Sequence, residues 1–259
     1  MTEGFIDIFK TNIYYKFLHK KLLATNSPIL VFLHEGLGST AMWKDFPEEL
    51  CRITGLPGLL YDREGYGLSQ PLTEPLGEKF IEFQGEIFFP ELIKRLNINN
   101  PIILFGHSDG GSIAFVAAAS MPEQVIALIT EAPHVFIEQQ SVDGLIAARD
   151  GWQNPKFRQN LEKYHGSKAE TIFKAWIENW LHPNAFHWNI YSYLEKIKSP
   201  LLYIQGNNDH FGTEKQWIET KRRIQAKSES LFIDDCGHIP HLQARPQVIE
   251  AVKQFIAAF

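Results

Sequence analysis

The sequence predicts an α/β protein: a mostly parallel sheet of about eight strands, flanked by helices, with a helical cap inserted late in the chain. Three observations carry this expectation. From about residue 29 onward, short apolar runs bounded by turn residues alternate with stretches of helical spacing. The runs are apolar throughout rather than alternating, as strands covered on both faces are. Between 134 and 194 the alternation stops, and no run there reads as a strand.

The elements follow in order. IDIF (6–9) and the residues up to Leu18 predict an N-terminal hairpin on the sheet edge. Strands are expected at ILVFLH (29–34), LPGLLY (56–61), PIILFG (101–106), VIALIT (125–130), SPLLYIQG (199–206) and ESLFID (229–234). Helical spacing marks 79–96 through Phe80, Phe83, Ile87, Leu92 and Leu96, and 246–258 through Val248, Val252, Phe255 and Ile256. Parallel strands joined through helices require right-handed crossovers. The stretch 134–194 is too long for a structureless loop in a compact domain, so it is expected to be a helical cap. The core then comprises 1–133 and 195–259. Trp152, Trp176, Trp180 and Trp188 all fall in the cap, where such rings either pack the interface with the core or line an apolar pocket. Trp152, Trp176, Trp180 and His134 are the pocket candidates.

Composition narrows the class. With 44% hydrophobic and 21% charged residues the chain can bury a sizeable core and does not read as disordered. A net charge of −5 offers no basic footprint for nucleic acid. The two cysteines, Cys51 and Cys236, make neither a disulfide framework nor a C-x-x-C zinc pair. There is no secretory pattern at the N-terminus, and no run approaches the ~18 apolar residues of a membrane span. A cytoplasmic location and a small-molecule partner are the expectation, with neither nucleic acid nor membrane; the oligomeric state is open. No P-loop, dinucleotide fingerprint, HExxH string or metal-ligand spacing occurs, so no cofactor and no metal are expected.

The chemistry concentrates at LFGHSDGG (104–111). An apolar strand ends in Gly106-His107-Ser108-Asp109-Gly110, and a helix rich in small residues follows. A nucleophile lifted at a strand end needs a strained backbone, and glycines on either side leave room for the turn. The helix N-terminus behind it favours developing negative charge. A serine hydroxyl is a poor nucleophile at neutral pH and needs a base, which in turn needs an orienting carboxylate. YIQGNNDHFGT places Asp209 just beyond a strand, and DDCGHIPH places His238 in a loop after the next one. Their chain order is Ser, acid, His. His210, His241 and His134 compete as the base. Asp234 and Asp235 precede His238 too closely to fold back on it. Cys236 has no base placed for it and is expected to pack.

These motifs resemble the α/β-hydrolase superfamily over nearly the whole chain: the elbow GHSDGG, the segment HEGLGS (34–39), DREGYGLS (62–69), and the pair QGNND and CGHIPHLQARP. The resemblance implies a lid at the helical insertion and a catalytic set of Ser108, Asp209 and His238. It implies an oxyanion hole from the amides of Asp109 and Gly36, with Leu37 as the fallback if the loop is offset by one. Glu35 departs from the pattern by replacing a glycine; its carboxylate is expected to face away and bond to loop amides, since facing inward it would oppose an anionic intermediate. Asp62 and Arg63 are expected to brace their strand end; His107 and His134 either flank the pocket or are satisfied structural histidines, the commoner outcome. Three roles stand open for the Asp109 side chain: bonding to loop amides or Arg63, attracting a cationic substrate group, or raising the histidine pKa. A relative that cleaves amino-acid esters resembles this elbow in its Ser-Asp-Gly-Gly string.

The expected activity is a serine hydrolase acting on a small, partly apolar ester, lactone or thioester through an acyl-enzyme. C–C bond hydrolysis of a vinylogous diketone uses the same residues, and a non-catalytic receptor can retain them. Haloalkane dehalogenase and epoxide hydrolase chemistry needs a carboxylate where Ser108 stands.

Overall fold

A computed structural model describes residues 2–25 and 27–258. Its eight strands are β1 (Glu3–Ile8), β2 (Thr11–Leu18), β3 (Ile29–Leu33), β4 (Gly58–Tyr61), β5 (Ile102–His107), β6 (Val125–Glu131), β7 (Leu201–Gly206) and β8 (Ser228–Ile233). They form one sheet in the order β1-β2-β4-β3-β5-β6-β7-β8. The pairs from β4 to β8 are parallel, and β1 and β2 join antiparallel at one edge.

The N-terminal hairpin turns at Phe9 and Lys10, with φ of 54° and 67° between the partners Ile8 and Thr11. Two left-handed residues give a turn whose twist matches that of the strands. The sheet is covered on both faces, and successive strand residues divide between them. Ile102 and Leu104 pack with the helices on one side, including Ile113, Phe115 and Leu92. Ile103 and Phe105 pack on the other side with Phe46, Val248 and Phe255. This two-sided burial explains why the strand sequences do not alternate in polarity.

The helical stretch expected over 79–96 is interrupted. It runs as Phe80–Phe83, a π turn at Gln84–Phe88, and Phe89–Arg95. Pro90 lacks an N–H and its ring would crowd the carbonyl one turn back, which the wider π turn avoids. Gly85 within that turn lies against the helix Asp109–Ser120: a Cβ there would come within 2.6 Å of Val116 Cβ.

Between β6 and β7 lie the helices Gln139–Gly151, Pro155–His165 and Ala169–Trp180, followed by short turns to Leu194. Leu145, Phe157, Leu161, Trp176 and Trp180 from these helices face a cavity at the carboxyl ends of β3 and β5. Among the described residues no helix is long and apolar enough to cross a membrane.

Candidate active site

Ser108 sits between β5 and the helix Asp109–Ser120 with φ 53° and ψ −121°. A residue with a Cβ is strained there, and the surroundings hold it in place. The Ser108 N–H donates to Glu131 O at 2.9 Å, and the Ser108 carbonyl accepts from Gly111 N at 2.8 Å. The glycines are required by contact: a Cβ on Gly106 would lie 2.3 Å from Gly110 O, and one on Gly110 would lie 2.0 Å from Leu33 O.

His238 and Asp209 arrive from the loops after β8 and β7. His238 Nε2 lies 2.9 Å from Ser108 Oγ, and His238 Nδ1 lies 2.9 and 3.0 Å from the two Asp209 oxygens. With Nδ1–H donating to Asp209, Nε2 is left as the acceptor facing the hydroxyl. Asp209 Oδ1 also accepts from Phe211 N at 2.8 Å, which fixes the carboxylate. Burial pushes the His238 pKa down, but the charge and hydrogen bond of Asp209, then the charges of Glu35 and Asp109, outweigh it and leave it raised. Burial raises the Asp209 pKa, and the nearby His238 overrides that, so the net shift is downward. The two shifts agree in favouring an ionised pair.

Gly36, Leu37 and Asp109 all border the cavity at Ser108. Among the described residues, the backbone N–H groups of Gly36 and Asp109 donate to no protein acceptor. The loop that carries Gly36 is braced by Arg63, whose guanidinium donates to His34 O and Glu35 O at 2.6 Å each. Asp62 braces the neighbouring segment by accepting from Thr40 N at 2.6 Å and Leu68 N at 2.8 Å.

Asp109 is 5% exposed and borders the cavity, and among the described residues its carboxylate makes no hydrogen bond to Arg63 or to loop amides. Trp180 Nε1–H donates to its Oδ2 at a long 3.4 Å. Burial raises its pKa, with the Arg63 charge opposing.

The cavity, about 210 Å³, is mainly apolar and takes in His134, Trp176 and Trp180. Trp152 is a correction: it does not border the cavity, because its indole stacks on Phe173 at 4.2 Å within the inserted helices. Glu35 is a second correction. Its carboxylate is not on the loop amides but 3.6 Å from His107 Nδ1, and it borders the cavity. His107 is a satisfied structural histidine: it does not border this cavity, and its Nε2–H donates to His238 O at 2.7 Å.

Residue-type reasoning missed Phe211, whose ring packs 4.7 Å from that of His238, and the buried Glu131–His241 pair beneath it. The single legible signal for Glu131 was a carboxylate closing the apolar run VIALITE.

The comparisons with known proteins agree with this architecture. The sn-1-specific diacylglycerol lipase ABHD11 of Mus musculus is 23% identical over 257 residues, covering 89% of this chain and 81% of that one. The monoglyceride lipase of Rattus norvegicus is 25% identical over 122 residues, covering 45% of this chain and only 38% of its own length. The solved structure of a membrane phospholipase A, described as a bacterial virulence factor, superposes with a TM-score of 0.79 at 17% identity, over 99% of this chain and 86% of that one. A sequence model of the α/β-hydrolase fold matches residues 28–193, and with the eight-stranded sheet this makes the chain a member of the α/β-hydrolase family.

Proposed function

We propose that the protein is a serine hydrolase of small, partly apolar carboxylic esters, working through an acyl-enzyme. The observation that carries this is the unbroken chain from Ser108 Oγ through His238 to Asp209 at the floor of a mainly apolar cavity. Ser108 Oγ attacks the ester carbonyl while His238 Nε2 takes its proton. The resulting oxyanion is held by the amides of Asp109 and Gly36, worth on the order of 3 kcal/mol each. His238 returns the proton to the departing alkoxide, and water then repeats the sequence on the acyl-enzyme, releasing the acid and regenerating Ser108. The inserted helices act as the cap that excludes bulk water. Relatives that bear lipase names support an ester over a C–C bond. A cavity of roughly 150 Å³ accommodates benzene, so about 210 Å³ suits a short chain or a single ring.

The test is turnover of a chromogenic short-acyl ester beside Ser108→Ala. A loss of at least ~10³-fold in the variant supports the reading. Slow single turnover by the parent protein favours a receptor, and turnover of a dienone alone favours C–C hydrolysis.

The Asp109 carboxylate favours a second reading, in which the acyl part carries a cationic α-amino group. The observation is a buried carboxylate beside the nucleophile with one long hydrogen bond. Asp109→Asn keeps the backbone amide, so it is expected to lower kcat/KM on α-amino esters by about 10-fold or more while sparing neutral esters. Equal loss on both removes this reading.

A further inference from the structure

Trp180 borders the cavity at Ser108 and also a second cleft of about 350 Å³. Trp180 is shared by both linings and is 5% exposed. It closes the helix Ala169–Trp180. Phe80 meets it edge-on at 5.4 Å and Trp188 at 4.8 Å, while Asp109 takes its N–H. These contacts leave the ring little freedom to swing aside, so it acts as a fixed partition. The second cleft is apolar at Trp180, Ala185 and Trp188 and polar elsewhere, with Glu78 and Glu82 beside Lys79.

We infer that Trp180 sets the upper limit on the length of the acyl group, confining the enzyme to short-chain or single-ring acyl esters. This rests on the ester-hydrolase reading above and adds a specificity-determining residue to it. Each methylene of acyl chain buried in the inner cavity raises kcat/KM by about fourfold. A chain that reaches the indole has no further apolar volume and must displace a ring held by three side chains. Removing the ring joins the two cavities and lets the chain continue toward Trp188.

The experiment measures kcat/KM for p-nitrophenyl acetate, butyrate, octanoate and dodecanoate with the parent protein, Trp180→Ala and Trp180→Phe. The parent is expected to peak at a short chain and fall beyond it. In Trp180→Ala the octanoate-to-butyrate ratio is expected to rise at least tenfold. Trp180→Phe keeps a wall but loses the N–H donated to Asp109, so it is expected to keep the parent ratio. Should the alanine variant not fold, Trp180→Leu reads the same ratio. An unchanged ratio in the shortened variants overturns the inference. So does an equal shift in Trp180→Phe, which would trace the effect to the Asp109 contact. A parent protein inert toward every chain length sinks the ester reading itself, whereas short-chain turnover with an unmoved ratio sinks only the role of Trp180.

Discussion

The carboxyl group of Glu131 meets His241 Nδ1 at 2.6 Å in a region that solvent does not reach. The other oxygen, Oε1, has no hydrogen-bond partner among the described residues. A buried carboxylate with one bare oxygen is costly, and a neutral acid is much less so. Burial accordingly pushes the Glu131 pKa up to about 8 and the His241 pKa down to about 3. The acid then donates to Nδ1, and the pair stays uncharged at neutral pH.

That assignment fixes a pH dependence of stability. A carboxyl whose folded pKa is raised contributes stability that is fully present below its unfolded pKa, near 4.5, and is lost as pH rises through about 8. Glu131→Gln mimics the neutral acid and does not titrate. Between pH 5 and 8.5 the parent protein is expected to lose a few degrees more of Tm than the variant. Parallel melting curves across that range would mean that Glu131 is ionised throughout.

The rate should show the opposite limb. In the proposed mechanism His238 must be neutral to accept the Ser108 proton, and its folded pKa lies above the usual imidazole value of about 6.5. Activity is therefore expected to rise with pH through a midpoint above that value. Glu35 supplies part of the upward shift, so Glu35→Gln should move the midpoint of kcat/KM to lower pH. A midpoint that does not move would show that the Glu35 charge is not felt at His238.

Much of this was legible in the sequence, for reasons that are local. Ser108 could be found because an elbow needs glycines at fixed offsets, and those offsets survive in the string Gly106-His107-Ser108-Asp109-Gly110. The strands could be found because burial on both faces forces continuous apolar runs such as ILVFL. The environment of a side chain was not legible, because it depends on residues distant in sequence. Trp152 reads the same as Trp176, yet one stacks on Phe173 and the other borders the cavity. The Glu35 carboxylate finds its neighbour, His107, 72 positions away in the chain. The helical spacing over 79–96 did not show the π turn at Gln84–Phe88, because that turn depends on Gly85 packing on Val116 from a distant helix.

His107 ties the two halves of the site together, and this gives the sharpest test of how rigid the site must be. It directly precedes Ser108, and its Nε2–H donates at 2.7 Å to the carbonyl of His238, so the strand that carries Ser108 grips the His238 loop. The ring is 2% exposed and lies 5.2 Å from those of both His238 and His241. Burial lowers its pKa to about 4, so it is neutral and its one N–H is committed to that carbonyl. His107→Phe fills the space but leaves a buried carbonyl without its donor, which frees the loop to shift. A displacement on the order of 1 Å at reacting groups costs up to ~10²-fold in rate. The variant is thus expected to lose about 10- to 100-fold in kcat with little change in KM, since the cavity walls are untouched. His107→Gln restores an N–H of similar reach and should recover most of that loss. A phenylalanine variant that changes KM at constant kcat would assign His107 to substrate binding, and a glutamine variant as slow as the phenylalanine one would show that the hydrogen bond to His238 does not set the rate.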